Sequence, residues 1–214
     1  MIRFLFSWFV KLTGIIPAAF AFRTKVYYED KRVQKRAVKG CAIIVSNHNS
    51  VWDFATMMFL FFGRTLRCVV AELMFEKNVF MNVFLRMLGC IRVDRNSHDF
   101  AFIEKGKSIL SRGGVVEIFP EARIPKDDEE KPLPFKPSAV YLALESGASI
   151  VPVNICGKYF SKERIRVIIG KPIDVRELYD SALSEKENIE NITEILRGKI
   201  IELGQQMQRQ IKKT

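Results

Sequence analysis

The sequence predicts an α/β fold with a mostly parallel sheet flanked by helices on both faces. Short β-branched runs alternate with longer stretches of helical composition, and alternation at these lengths is typical of parallel sheets. The chain has 214 residues, enough for one domain with an ample core. The predicted strands are residues 25–28, 41–46, 66–71, 90–93, 115–119, 150–154 and 165–169.

Helical stretches fall between most of these strands. They are residues 53–62, 75–88, 98–111 and 137–145. After the last strand, apolar residues recur at steps of three and four, which predicts a long amphipathic C-terminal helix that packs on the core or on a partner. Those apolar residues are Ile189, Ile192, Leu196, Ile200, Leu203, Met207 and Ile211.

Residues 1–24 are predicted to form an N-terminal membrane-associated helical segment, and residues 25–214 the main domain. Lys11 is the only charged residue from residue 4 to 22, whereas seven basic and two acidic residues follow from residue 23 to 39. A bilayer interface attracts an apolar aromatic segment that is followed by a basic one. The order of these two stretches therefore favours a membrane surface.

The apolar run is interrupted by Lys11, Gly14 and Pro17. Because a spanning helix needs about 20 predominantly apolar residues, we expect two short helices that dip into one leaflet rather than a span. Two alternatives remain open at this point. One is a cleaved signal peptide, since residues 19–21 (AFA) resemble a cleavage site, and the other is an ordinary core or partner helix.

The formal net charge of +10 at pH 7 favours partners that carry phosphate: nucleic acid, anionic lipid or a phosphorylated substrate. No RNA-binding signature occurs, and aromatic residues are not interleaved with the basic ones, so we expect no nucleic acid. The four cysteines contain no C-x-x-C pair, which indicates free thiols in a reducing cytosol. With only two histidines in the chain, we also expect no metal site.

Two polar blocks follow predicted strands: residues 47–53 (NHNSVWD) and residues 119–123 (FPEAR). Because the carboxyl ends of parallel strands meet at one rim, His48 and Glu121 are expected on the same rim. Asp53 stands five residues after His48. A carboxylate bonded to one ring nitrogen orients an imidazole and leaves the other nitrogen free to take a hydroxyl proton as a general base.

The local pattern of the first block supports two interpretations. If Ser50 is the N-cap, Asp53 falls at the third helical position, where its carboxylate can reach back toward His48. The same residues fit an S-x-x-acid capping box, in which Asp53 merely satisfies the helix start. In the catalytic interpretation, backbone N–H groups of the turn are expected to stabilise an oxyanion. Residues 126–134, charged and proline-rich, are predicted to be an exposed loop over this site or a solvated linker.

The pattern N-H-x-x-x-x-D followed by F-P-E-x-R resembles the glycerolipid acyltransferase family, typified by the 1-acyl-sn-glycerol-3-phosphate acyltransferases. The resemblance covers about residues 40–172, with four blocks in the family's order. The third block departs from the usual F-P-E-G-T-R, because Ala122 alone stands between Glu121 and Arg123. The four blocks are residues 47–53, 89–95, 119–123 and 150–153.

The resemblance implies that His48 deprotonates an acceptor hydroxyl, which then attacks a fatty acyl thioester, and that Asp53 orients the imidazole. No covalent enzyme intermediate is needed, since a thioester is already activated. A serine hydrolase would require G-x-S-x-G and a P-loop protein G-x-x-x-x-G-K-[ST], and neither pattern occurs.

The resemblance also implies that Arg95, Glu121 and Arg123 hold the glycerol phosphate, with Arg92 as a weaker candidate. Glu121 would repel phosphate directly, so we assign it to a glycerol hydroxyl or to orienting Arg123. Without the family, each of these arginines is more often a surface or capping charge.

The reaction so implied transfers a fatty acyl group to lysophosphatidic acid and gives phosphatidic acid. The co-substrate is acyl-CoA or acyl carrier protein, and no cofactor is expected. The expected location is the cytoplasmic face of the cell membrane, on a surface with anionic lipid. Alternatives are an acyltransferase acting on another lysophospholipid or polar lipid acceptor, and a non-catalytic anionic-lipid binding protein.

Overall fold

The computed structural model describes residues 2–94 and 101–212. In this part of the chain the strands form one seven-stranded sheet of order β1-β7-β6-β2-β5-β3-β4, in which only the β6–β7 pair is antiparallel. The predicted fold class, a mostly parallel sheet, is thereby confirmed. The strands are β1 Lys25–Tyr28, β2 Ala42–Ser46, β3 Leu66–Ala71, β4 Ile91–Val93, β5 Val115–Ile118, β6 Ile150–Cys156 and β7 Arg166–Ile169.

The predicted helix over residues 75–88 is two helices. The chain breaks at residues 77–78, where the Asn78 side chain accepts the Met81 N–H at 2.7 Å and caps the start of a new helix. The predicted start at residue 98 lies outside the described residues. The helices are α1 Ile2–Phe22, α2 Asp53–Leu60, α3 Glu72–Glu76, α4 Val79–Leu88, α5 Ala101–Leu110, α6 Ser138–Ser146 and α7 Glu185–Lys212, with a 3-10 turn at Val175–Leu178.

Strand β2 lies at the centre of the sheet and is buried on both faces. Because side chains alternate along a strand, Ile43 and Val45 pack with α5, α6 and α7, whereas Ile44 packs with α1 and α2. The predicted C-terminal amphipathic helix is α7, and its apolar stripe completes the first of these layers. The helices therefore cover both faces of the sheet.

Helix α1 is one continuous helix, so the expectation of two short helices was wrong. Its buried residues are Ser7, Lys11, Ala18 and Phe22, which share one helical stripe. Lys11 lies on this inner stripe, where its Nζ donates to the carbonyl oxygens of Phe62 at 2.9 Å and Arg64 at 2.5 Å. The charge thus binds α1 to the domain instead of interrupting it.

The outer face of α1 is apolar and exposed, as at Phe9, Ile16 and Phe20 (62%, 67% and 78%). In length and composition, α1 is the one helix of the described chain that could cross a membrane. Gly14 faces α2, where a Cβ would come within 2.7 Å of the Phe59 ring. The glycine that interrupts the apolar run therefore permits close packing of α1 against α2.

Glu117 on β5 lies near the centre of the sheet and is fully buried. Neither of its carboxyl oxygens forms a hydrogen bond of good geometry within the described chain, and its polar neighbour across the β3–β5 register is the weakly donating thiol of Cys68. Burial, followed by repulsion from Asp53, raises the pKa of Glu117 well above its usual range. Burial therefore favours the protonated form of Glu117 in the core.

Replacing Glu117 with leucine is expected to stabilise the protein by ~1–3 kcal/mol at neutral pH, because an unsatisfied buried polar group costs about that much. The pKa of Glu117 is higher in the folded protein than the usual 4.5 of the unfolded chain, so the unfolded chain loses this proton at lower pH. The free energy of unfolding of the wild type therefore falls as pH rises from about 4.5 toward the pKa of the folded state. Denaturant unfolding across this pH range measures both effects. Glu117→Gln is the matched control, since it keeps the polar group but cannot ionise; a pH dependence in that variant equal to the wild type's would contradict the assignment.

Candidate active site

The imidazole of His48 lies at the carboxyl edge of the sheet, directly after β2. Its Nδ1 is 3.0 Å from Asp53 Oδ2, and Asp53 is fully buried whereas the His48 side chain is 19% exposed. Asp53 Oδ2 is an acceptor, so Nδ1 carries the proton. Nε2 has no partner in the described part of the chain and is left as the acceptor nitrogen. The spacing in the sequence predicted this contact.

The carboxylate of Asp53 has three further donors. Its Oδ2 accepts the backbone N–H groups of Asn49 at 2.6 Å and Ser50 at 2.7 Å, and its Oδ1 accepts the Tyr159 hydroxyl at 2.8 Å. The Asp53 carboxylate therefore has both predicted roles, because it accepts backbone N–H groups of the turn and also pairs with His48. The expected cap position was wrong, however, because α2 begins at Asp53 itself and Trp52 precedes it in helical conformation.

Tyr159 was not predicted from the sequence, although it orients Asp53. The Tyr159 hydroxyl donates its hydrogen to Asp53. The Thr56 hydroxyl, whose Oγ1 lies 2.8 Å away, therefore donates to the Tyr159 oxygen. Burial, followed by repulsion from Asp53, raises the pKa of Tyr159 above its usual range, so the hydroxyl keeps its proton. Tyr159 comes 106 residues after Asp53, and no local pattern signals the contact.

The loop that carries His48 is tied to β6 by two asparagines. Asn47 donates from Nδ2 to the Ile155 carbonyl at 2.9 Å and accepts the Ile155 N–H at Oδ1 at 2.8 Å, while Asn49 Nδ2 donates to the same carbonyl at 2.6 Å. Their positions on either side of His48, just after a buried strand, were the available sequence signal. The phenyl ring of Phe119 stacks on the imidazole with centroids 4.4 Å apart.

Glu121 lies on the same rim as His48, as predicted, and is buried. Its Oε1 accepts the His48 N–H at 2.6 Å, and its Oε2 accepts the Leu133 N–H at 2.7 Å. Its pKa is raised by burial, against which these two hydrogen bonds act. Both oxygens thus bind backbone groups that position the site. The predicted role of orienting Arg123 is corrected, because Glu129 holds Arg123.

Three backbone N–H groups of the turn, where oxyanion donors were expected, are already bound. The N–H of His48 is bound to Glu121, and those of Asn49 and Ser50 are bound to Asp53. These three groups are occupied by carboxylates and are not free for a developing oxyanion.

Arg123 is half-exposed next to this rim. Its Nη1 and Nη2 each donate to a different carboxylate oxygen of Glu129 at 2.6 Å, in a bidentate pair. The pKa of Glu129 falls to about 2 through this pair first and then through the Lys126 N–H. A carboxylate thus occupies the guanidinium fork that was predicted to bind phosphate, whose oxygens have matching geometry.

Glu129 belongs to the predicted loop over residues 126–134, which is only partly exposed. Pro132 and Leu133 are buried, and Arg197 of α7 donates to both of their carbonyl oxygens at distances between 2.8 and 3.3 Å. The expectation of an exposed segment was therefore wrong at Pro132 and Leu133. The loop reaches the site through Glu129.

Arg92 shows no contact with His48, Asp53 or Arg123 in the part of the chain that the structure describes. Arg92 donates to Glu76 at 2.7 Å, an exposed ion pair. Arg95 lies outside the described residues. The roles of Arg92 and Arg95 stay predictions.

The sequence model of the family described as Acyltransferase matches residues 23–156, from just before β1 to the end of β6. A 1-acyl-sn-glycerol-3-phosphate acyltransferase of Borreliella burgdorferi is 31% identical over 169 residues, which cover 76% of this chain and 66% of that one. The beta form of the human enzyme is 31% identical over 112 residues, covering 52% of this chain and 40% of its own. The chain thus spans just under two thirds of the bacterial relative and less than half of the human one.

The fold has a counterpart among solved structures. The 1-acyl-sn-glycerophosphate (LPA) acyltransferase of Thermotoga maritima superposes with a TM-score of 0.60 at 19% identity, covering 94% of this chain and 95% of that one. The family match includes His48, Asp53, Glu121 and Arg123 and extends over more than half of the chain. The chain therefore belongs to the acyltransferase family.

Proposed function

We propose that this protein transfers a fatty acyl group from an acyl thioester to the free hydroxyl of lysophosphatidic acid, giving phosphatidic acid for phospholipid biosynthesis. The observation that carries the proposal is the 3.0 Å contact between His48 Nδ1 and Asp53 Oδ2, which leaves Nε2 as the free acceptor nitrogen of a partly exposed imidazole. The named relatives act on the same class of acceptor. Lysophosphatidic acid is therefore the first acceptor to test.

In this mechanism His48 Nε2 takes the proton of the acceptor hydroxyl while the acceptor oxygen adds to the thioester carbonyl carbon. Asp53 stabilises the imidazolium that forms. When the tetrahedral intermediate collapses, the carbon–sulfur bond breaks and the imidazolium returns its proton to the departing thiolate. The products are an oxygen ester and a free thiol. Acyl-CoA and acyl carrier protein both meet this requirement, and the residues named here supply the proton transfer without a cofactor.

Arg123 is the proposed ligand of the acceptor phosphate. In the proposed complex the phosphate replaces the Glu129 carboxylate in the guanidinium fork, so the 126–134 loop must release Arg123 when the acceptor binds. Arg92 and Arg95 remain proposed contributors from the second family block. Glu121 supports the site by holding the N–H groups of His48 and Leu133.

Replacing Glu129 with glutamine is expected to lower the KM for lysophosphatidic acid by up to about fivefold, because a solvent-exposed ion pair competes only weakly with the phosphate for Arg123. The rate constant kcat should stay unchanged. Steady-state kinetics with varied acceptor measures both. Asp174→Asn, which releases Arg176 from an exposed bidentate pair that is not part of the proposed site, is the matched control. An unchanged KM in the Glu129 variant would remove Arg123 from the proposed phosphate site.

The proposed setting is the cytoplasmic face of the cell membrane, with α1 lying in the interface. The exposed apolar side chains along its outer face and the basic stretch after it support this placement, since burial of apolar area and attraction to anionic lipid act together. The active-site rim is close to the end of α1, where Phe22 packs against Tyr159 with ring centroids 5.3 Å apart. An acceptor held in the membrane would then reach His48.

The proposal is tested by release of free thiol from acyl-CoA and acyl carrier protein in the presence of a panel of lysophospholipids. Thiol release that depends on lysophosphatidic acid, with phosphatidic acid formed in equal amount, is the expected result. Thiol release with only another lysophospholipid would identify that lipid as the acceptor in place of lysophosphatidic acid. Binding to anionic vesicles without any thiol release would show that the protein is a non-catalytic lipid-binding protein.

A further inference from the structure

A cavity of about 570 Å³ opens at the amino-terminal edge of the sheet, opposite the edge that carries His48. Its walls come from the start of α1, the turn before β3, the end of α4 and the turn before β5. The path along β5 from Gly114, which lines the cavity, to Phe119, which stacks on His48, is roughly 16 Å at about 3.3 Å per residue. The cavity is therefore separate from the candidate active site.

Four arginines line this cavity: Arg3, Arg64, Arg67 and Arg112. Lys11 lies directly behind them, bound to the Arg64 carbonyl. In residues 2–94 and 101–212 none of these five cations forms an ion pair with a carboxylate. The hydrogen bonds that they donate go to carbonyl oxygens and to the Ser108 hydroxyl.

These like charges repel one another. The pKa of Lys11 is lowered to about 8, first by burial and then by Arg67. Burial likewise lowers the pKa of Arg67; the Cys90 thiol opposes this shift, and the nearby Arg3 adds to it. The charges are thus close enough to interact and lack a negative partner within the described chain.

The negative ends of nearby helix dipoles balance only part of the positive charge of the cavity. The carboxyl ends of α2, α4 and α5 point to this edge, and each supplies about half of a negative charge. Three such ends supply about one and a half negative charges, and the amino end of α1 in the same wall adds about half a positive charge to those of the side chains. A bound anion would balance much of the remainder.

Two details indicate a formed site. The indole Nε1 of Trp8, which also lines the cavity, is buried and has no acceptor in the described part of the chain. Gly89 has a φ of +76°, and a Cβ there would overlap the Arg67 guanidinium, so this glycine makes room for Arg67 beside the Leu88 carbonyl that it binds. The cavity thus offers guanidinium groups, and a buried N–H donor without an acceptor lies in its wall.

We propose that this cavity binds the phosphate of an anionic phospholipid headgroup, as a second lipid site that is not the acceptor site. A lipid fits better than a soluble anion, because the adjoining end of α1 exposes Ile2, Leu5 and Phe9 at helical spacing (68%, 58% and 62%). The headgroup would enter the cavity while its acyl chains follow this apolar face. The site requires no acyl transfer, so it stands independently of the proposed reaction.

Short-chain soluble lipids test the site on the full-length protein. With ¹⁵N-labelled indoles, Trp8 and Trp52 give two signals, because the chain has two tryptophans. Dihexanoylphosphatidylglycerol is expected to shift the Trp8 signal saturably, at concentrations at which dihexanoylphosphatidylcholine and inorganic phosphate do not. Equal binding of inorganic phosphate would make this a free-anion site. A shift confined to Trp52, or a stronger Trp8 response to acidic acyl carrier protein, would also overturn the proposal.

A charge-matched pair of variants tests it on bilayers. The double variant Arg3→Gln, Arg112→Gln removes two exposed charges of the cavity, and Lys105→Gln, Arg209→Gln removes two exposed charges elsewhere. Binding to phosphatidylglycerol-containing vesicles is expected to weaken about tenfold in the first and less than about threefold in the second. Equal losses would show unspecific attraction. Transfer assayed in detergent micelles should be the same in both, so failure of this site and failure of the proposed reaction are distinguishable.

Discussion

Replacing His48 with alanine is expected to slow acyl transfer by about 10²–10⁴-fold, the usual contribution of a general base. Nε2 of His48 is the free acceptor nitrogen of the site, and its partner nitrogen is fixed by Asp53 at 3.0 Å. Without the imidazole, the acceptor hydroxyl must lose its proton to water. Thiol release under saturating donor and acceptor measures the loss, and binding of both substrates should persist.

The controls separate chemistry from packing. The alanine variant also loses the ring that stacks on Phe119, so its unfolding transition is compared with that of the wild type. Added imidazole should restore part of the rate if only the base is missing. His98→Ala changes the other histidine in the sequence and should leave the rate unaltered. Near-normal turnover in the His48 variant would refute the proposed mechanism.

Changing Asp53 to asparagine is expected to reduce the rate about 10- to 100-fold with little loss of stability, since the charge of one hydrogen-bond acceptor is lost while the bond itself is kept. Two backbone N–H groups point at Oδ2, so the asparagine carbonyl oxygen must stay there and its NH₂ group must face Tyr159. The Nδ1–H tautomer of His48 is then retained, and the imidazolium loses only its counter-charge. A loss near 10⁴-fold, which tautomer reversal causes in the serine-protease triad, is not expected.

Asp53→Ala is the contrasting variant. It leaves the N–H groups of Asn49 and Ser50 and the Tyr159 hydroxyl without their shared acceptor. We expect ~3–5 kcal/mol of lost stability, because several buried donors lose their partner at once and each unsatisfied group costs about 1–3 kcal/mol. Unfolding curves and kcat of the two variants are compared under the same conditions. An asparagine variant as unstable as the alanine variant would show that the amide does not replace the carboxylate in the loop.

Most of the fold could be predicted because strand and helix periods are local properties. Each predicted strand has a counterpart in the described sheet, since β-branched runs bounded by turns behave alike wherever they pair. The break at Asn78 was missed, although asparagine is a strong N-cap, because the apolar pattern continues across it. The antiparallel pairing of β6 with β7 depends on which edges meet, and local patterns carry no information about that.

The candidate site also contains local contacts, which the sequence predicts, and distant contacts, which it does not. His48 and Asp53 are five residues apart, so a turn followed by a helix is sufficient to bring them together. The other partners are distant: Glu121 binds a residue 73 positions earlier, and Tyr159 binds one 106 positions earlier. No spacing rule reaches over such separations.

The sequence by itself determined the order of the strands and the pairing of His48 with Asp53, because both depend on residues that are close along the chain. The family resemblance came from the order of four short blocks, which also needs no tertiary structure. The tertiary structure alone decided that Lys11 points inward, that Glu121 binds backbone, that Glu129 occupies Arg123 and that Glu117 is buried in the sheet. These contacts are set by packing, which buries some ionisable groups away from water. Packing also brings together residues that are far apart in the sequence, and no local pattern predicts such pairs.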